Sequence, residues 1–152
     1  MSSEEKVDEL DIQILREYMK DSRVSFRKIA ERLKVSTGTV LARTKKLEKM
    51  GVIKSYTIEV DYRKLGYSVT AVTEITVSGG KLLEVENQIA NIPNTFIVYD
   101  ITGENDVVVV SKFRSTEELS KFTKSLLSIP NVVRTNTHVV LTPVKESMNL
   151  AL

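Results

Sequence analysis

The sequence predicts an α+β chain of two domains: three helices first, then a four-stranded antiparallel sheet with two helices. Three observations predict it. Residues 23–54 carry ten basic side chains against Glu31 and Glu48, within a stretch of helical apolar spacing. The triplet Ile92-Pro93-Asn94 returns as Ile129-Pro130-Asn131, an offset of 37 residues. Around both copies the composition shifts to Val, Ile and Thr, the side chains of strands.

Asp8 is a suitable cap for a first helix, whose Leu10, Ile12, Ile14, Leu15 and Tyr18 recur at helical spacing. Ser25 opens a second, short helix with Phe26, Ile29, Ala30 and Leu33 on one face. Ser36 caps a third, in which Val40, Thr44 and Leu47 fall at i, i+4 and i+7, and Gly51 stops it. Val52–Val60 reads as a strand, and Asp61–Gly66 as a linker with a turn-permitting glycine. Two short helices joined by Lys34-Val35-Ser36 make a helix-turn-helix, the unit that lays its second helix in a DNA major groove.

Beyond the linker, the 37-residue offset maps Leu82 onto Leu119, Val85 onto Phe122 and Ile89 onto Leu126. Two helices therefore share one apolar spacing, and each stops at Ile-Pro-Asn because proline cannot continue a helix. Strands precede them at Ser68–Val77 and Val107–Arg114, and follow them at Thr95–Thr102 and Val132–Thr142. Strand–helix–strand twice is the ferredoxin-like βαββαβ order, with both helices on one face of the sheet. Along the first strand neither side is strongly polar, so the uncovered face calls for self-association.

Charge and composition narrow the function. The chain has 152 residues, 41% of them hydrophobic, with no Cys, no Trp and one His. That excludes disulfides, zinc clusters, iron–sulfur centres and cysteine nucleophiles, and leaves little for a histidine-based metal site or proton relay. No apolar run approaches the roughly 20 residues that span a bilayer. Met1–Lys6 lacks the basic start and apolar stretch of a signal peptide, so a cytoplasmic chain without a cofactor is expected. The net charge is only +2, but residues 1–22 hold three basic and seven acidic side chains against the basic block that follows. Such a block is the footprint of a surface that meets phosphates.

On the third helix, Gly38, Ala42, Lys45, Lys46 and Lys49 oppose the core face, flanked by Thr37, Thr39, Leu41 and Arg43. Small residues at its start permit close approach to base edges, and the basic end suits phosphates. Arg43 could reach guanine or a phosphate, and Thr37 and Thr39 a base edge or thymine methyl. The DNA-contacting set is Arg27, Ser36, Thr37, Gly38, Thr39, Ala42, Arg43, Lys45, Lys46 and Lys49. Between the two sheet halves, Thr102-Gly103-Glu104-Asn105-Asp106 forms a tight turn rich in acceptors, which on its residues alone reads as hairpin chemistry. The last strand puts Thr135 and Thr137 on one face, and Arg134, Asn136 and His138 on the other.

These pieces, in this order, resemble the Lrp/AsnC (leucine-responsive, asparagine-regulator or feast–famine) transcription factors. The resemblance runs from about Val7 to Lys145. It rests on Leu10-Asp11 with Ile14-Leu15, Ile29-Ala30 with Leu33, and Ser36 with Thr39-Val40 and Arg43. Lys45 to Glu48, Gly51-Val52-Ile53, Leu65-Gly66-Tyr67, Gly103 with Asp106, and Ile129 to Val132 complete it. The resemblance implies a prokaryotic regulator with a winged-type helix-turn-helix domain over residues 1–54, a strand and linker over 55–66 and a ferredoxin-like domain over 67–143. Residues 144–152 are then a tail. It further implies homodimers that assemble into octamers, double-stranded operator DNA as partner, no membrane, and a small effector, usually an amino acid. The effector would lie among Gly103, Glu104, Asn105, Asp106, Thr135 and Thr137. Three positions depart from the family pattern: Glu104 where Asp is usual, Lys34 where Gly is common, and Leu41 where a polar or basic residue is frequent. The rival from another class is an effector-independent architectural DNA-binding protein, against which only the acidic turn and its threonines speak. An enzyme lacks its constellation here, and an RNA-binding sheet lacks its aromatic stacking set.

Overall fold

The computed structural model describes residues 6–152, so the leader expectation drawn from Met1–Lys6 lies, but for Lys6, outside the described residues. The chain forms two compact units, one reaching to Val60 and including Glu146–Leu152, the other Asp61–Lys145.

In the first unit, α1 (Glu9–Lys20), α2 (Phe26–Leu33) and α3 (Thr37–Lys49) follow the expected caps. Asp8 and Asp11 form a reciprocal capping box: Asp11 N–H donates to Asp8 Oδ1, and Asp8 N–H to Asp11 Oδ2, both at 3.0 Å. Ser25 accepts the Lys28 N–H and Ser36 the Thr39 N–H. Lys34 takes φ 56°, the left-handed turn between α2 and α3, at a strain of roughly 1 kcal/mol that glycine would avoid. Ile14, Ile29, Ala30 and Val40 close the small core, with Leu10, Tyr18, Val24, Leu33 and Val35 around them. At the end of α3, Gly51 at φ 71° lets Val52 N–H and Ile53 N–H both donate to the Leu47 carbonyl.

The strand expected over Val52–Val60 does not form. Its backbone joins no ladder among the described residues, and Ile58 is 77% exposed. A strand needs a neighbour for its peptide groups, and alternating side chains cannot supply one. Over the expected linker, residues 62–66 form a turn with Gly66 at φ 89°.

The second unit contains β1 (Val69–Val77), α4 (Leu82–Ala90), β2 (Thr95–Asp100), β3 (Val107–Phe113), α5 (Thr116–Ser128) and β4 (Val132–Val139). The sheet order is β2-β3-β1-β4 and every neighbouring pair is antiparallel. The repeat is visible in the packing: Val85 and Ile89 of α4, and Leu119, Phe122 and Leu126 of α5, are buried against Ala71, Ile75, Val107, Val109 and Phe113. The intervening positions form the other face, where Val72 lies opposite Val110, and Ile97 and Tyr99 extend the row on β2. No helix of this unit covers that face. Among the described residues no helix is long and apolar enough to cross a membrane.

Candidate functional sites

The exposed side of α3 is the first site. Its start is held by Ser36, whose Oγ accepts the Thr39 N–H at 3.0 Å and pairs with Thr39 Oγ1 at 2.8 Å. Ser36 and Thr39 thus secure the helix end. Val40, Thr44 and Leu47 are buried, with Thr44 Oγ1 3.2 Å from the Tyr18 hydroxyl. Facing outward are Thr37, Gly38, Leu41, Ala42, Lys45 and Lys49. Gly38 is helical, and a Cβ added to it would meet only Ser36 Oγ, at 3.8 Å. The fold therefore has no need of a glycine there. Lys45 and Lys49, one turn apart, have no hydrogen-bond or ion-pair partner among the described residues. Arg27 on α2 is exposed and bonded only to Glu31, at 3.2 Å, a surface pair worth well under ~1 kcal/mol.

Two basic residues of α3 are placed otherwise, which corrects the expectation that both are free to meet DNA. Asp11, with a fully buried side chain, accepts from Lys46 Nζ at 2.6 Å and from Arg43 Nη1 at 3.3 Å. Arg43 also pairs with Asp8, and Lys46 donates to the Lys6 carbonyl at 2.7 Å. The Arg43 hydrogen bond holds the Asp8 carboxyl below the usual carboxylate range, and the same bond raises the guanidinium. A buried carboxylate demands cations, and these two supply them. Arg32 is likewise committed, to Glu17.

The second site is a hollow of about 600 Å³ at one end of the sheet, bordered by Glu74, Ile101, Thr102, Glu104, Asn105, Arg134, Thr135 and Asn136. Of the six residues expected from the sequence, Glu104, Asn105 and Thr135 come together here. Gly103, at φ 129°, permits the turn without bordering the hollow. Asp106 spends a carboxylate oxygen on the Val77 N–H, at 2.7 Å, where the β1–β4 register shifts. Asn105 Oδ1 accepts from Thr76 Oγ1 at 3.1 Å and the Asp106 N–H donates to the Ile75 carbonyl at 2.9 Å, so the turn is tied three times to β1. Thr137 does not reach the hollow; its hydroxyl pairs with Thr73, a buried β1 residue, at 3.1 Å. Sequence reasoning missed Glu74, Ile101, Thr102, Arg134 and Asn136 as lining residues. The alternation of the last strand had placed Arg134 and Asn136 together; the pairing of Glu74 with Asn136 comes only from the β1–β4 register. Among the described residues, no group of three or more His, Asp or Glu could hold a metal ion.

Comparison with known proteins bears on both sites. Residues 7–54 match the winged helix-turn-helix DNA-binding family model, and residues 70–150 the Lrp/AsnC ligand-binding domain. An uncharacterized HTH-type transcriptional regulator of Pyrococcus furiosus is 48% identical, over 95% of this chain and 98% of its own. The solved structure of Bacillus subtilis LrpC is 32% identical, with a TM-score of 0.84 over 93% of this chain and 99% of that one. A Neisseria meningitidis transcriptional regulator, solved in complex with L-Met, shares the fold at a TM-score of 0.89 and 23% identity, over 96% and 97% of the two chains.

Proposed function

The chain belongs to the Lrp/AsnC family of transcriptional regulators, with a helix-turn-helix DNA-binding domain and a ligand-binding domain, and from that premise we propose a homo-oligomeric, sequence-specific regulator whose assembly responds to an amino acid. The observation that carries the DNA reading is the outer face of α3. Gly38 and Ala42 leave room at its first turns for base edges, and Lys45 and Lys49 stand unpaired beyond them. Thr37 and Leu41 are the side chains free to touch a base edge or a thymine methyl. Arg43 and Lys46 serve the domain, by fastening α3 to the start of α1. Two copies related by a twofold axis would set half-sites about 10–10.5 bp apart, or a multiple of that.

Self-association is supported by the semi-apolar sheet face of Val72, Val108, Val110, Ile97 and Tyr99, opposite the helix-covered side. Glu74 and Asn136 lie on that same face, so the hollow would be near a sheet-to-sheet contact. A ligand there changes assembly only if one assembly binds it better than another. The L-Met complex of the Neisseria regulator is consistent with an amino acid as ligand class.

The test is a pair of anisotropy titrations at about 0.15 M salt, with DNA from upstream of the gene and with scrambled DNA of equal composition. Each runs with and without a pool of amino acids. A preference of about 10³ for the native fragment, changed by the pool, is expected. Equal binding to both DNAs, indifferent to the pool, would refute this reading and favour the architectural one.

A further inference from the structure

Glu104 and Arg134 border the same hollow, carry opposite charges, and yet are paired neither with each other nor with any other described residue. Glu74 adds a third charge. One of its oxygens accepts from Asn136 Nδ2 at 3.2 Å and stands 3.4 Å from His138 Nε2, while the other has no partner among the described residues. The rest of the lining is hydroxyl and amide, and Ile101 is its one aliphatic member.

We propose that the hollow selects a free dibasic amino acid. This rests on the effector reading above and narrows it. The charges of the site are two carboxylates and one guanidinium. Those of lysine or arginine are their complement, two cationic groups and one carboxylate. Arg134 takes the ligand carboxylate in the fork geometry that guanidinium offers. Glu104 and Glu74 each face one cation, and Asn136 holds the Glu74 carboxylate in place. Leucine or methionine, whose one cation is the α-ammonium, satisfies only one of the two carboxylates. It also finds one isoleucine where an apolar pocket would be needed, and a charge left unpaired as water is excluded is costly. Glu104 is the position at which the chain carries the longer acid, and its reach into the hollow follows from its place at the tip of the turn.

The experiment is isothermal titration calorimetry of the full chain. The probes are L-lysine, L-arginine, L-norleucine, L-methionine and cadaverine. Norleucine is lysine without its second ammonium, and cadaverine is lysine without its carboxylate. Lysine or arginine should bind at least about tenfold more tightly than norleucine, methionine or cadaverine. Glu104→Gln and Glu74→Gln should each remove most of the preference for lysine over norleucine, with thermal unfolding unchanged. Arg134→Gln should weaken every amino acid alike and leave cadaverine unaffected. Norleucine or methionine binding within about threefold of lysine would overturn the charge match and leave the effector reading standing. Cadaverine binding as well as lysine would overturn it through Arg134. If no amino acid binds at all, the effector reading itself falls, and this inference with it.

Discussion

Gly38→Ala separates what the fold needs from what DNA needs. Gly38 sits in the first turn of α3, two residues beyond the Ser36 cap, in ordinary helical conformation. The new methyl would meet Ser36 Oγ at 3.8 Å, normal van der Waals contact, so nothing has to move. A glycine in the middle of a helix is about 1 kcal/mol worse than alanine. Near an end, where part of that freedom survives, about half of it should be recovered. The variant is therefore expected to be more stable by about 0.5 kcal/mol, a rise of roughly 2–4 °C for a unit of this size. DNA affinity should move the other way. A methyl on the face that approaches base edges holds the helix off, and losing even one good base contact costs about 1–3 kcal/mol, roughly 5- to 150-fold. Urea unfolding followed by circular dichroism reads the first quantity, and anisotropy on operator DNA the second. A variant that is less stable, or one that binds operator unchanged, would refute the argument that Gly38 is there for the ligand.

Lys45→Ala and Lys49→Ala should each flatten the slope of log K against log salt by about 0.9 per phosphate lost, equally for operator and scrambled DNA. An unchanged slope would remove them from the interface. Asp11→Asn should destabilise the first unit by about 1–3 kcal/mol, because the charge-assisted bonds from Lys46 and Arg43 become neutral ones around a buried side chain. A urea midpoint shift no larger than that of an exposed substitution would show that the cluster is ornamental. Glu17 is held below its usual value of 4.5 by its hydrogen bonds from Lys20 and then Arg32. Its stabilisation is therefore complete above that value and is lost as pH falls through the lower, folded-state value. The stability gap between the parent and Glu17→Gln should accordingly be wide at neutral pH and close as the pH falls below that lowered value. A gap that does not change with pH would contradict the pairing.

Local chemistry was legible in the sequence wherever cause and effect lie within a turn of each other. Asp8, Ser25 and Ser36 act on N–H groups three residues away, so their spacing announces the caps. The turn at Lys34-Val35-Ser36 was readable from the short link between two periodic helices, and the structure adds that Lys34 itself is left-handed. The Ile-Pro-Asn repeat revealed the duplicated unit, because proline stops a helix by its own covalent structure. The family resemblance, spread over most of the chain, rests on the same local signals in a fixed order.

What the sequence could not decide is which distant groups meet. Arg43 and Lys46 read as free cations on a helical wheel, yet Asp11, 32 and 35 residues earlier, pairs with both, and Arg43 pairs with Asp8 as well. Val52–Val60 alternates as a strand should, but alternation is a property of one segment and a ladder is a property of two. Thr137 and Arg134 lie within one strand, and only the register against β1 sends Thr137 to Thr73 and leaves Arg134 beside the hollow with Glu104. The sequence by itself determined the helices, their ends, the two-domain order and the class of function, since these depend on propensity and spacing. Tertiary structure alone decided which charges are spent on the fold and which remain for a ligand, because pairing depends on distance in space, and chain separation does not reveal it.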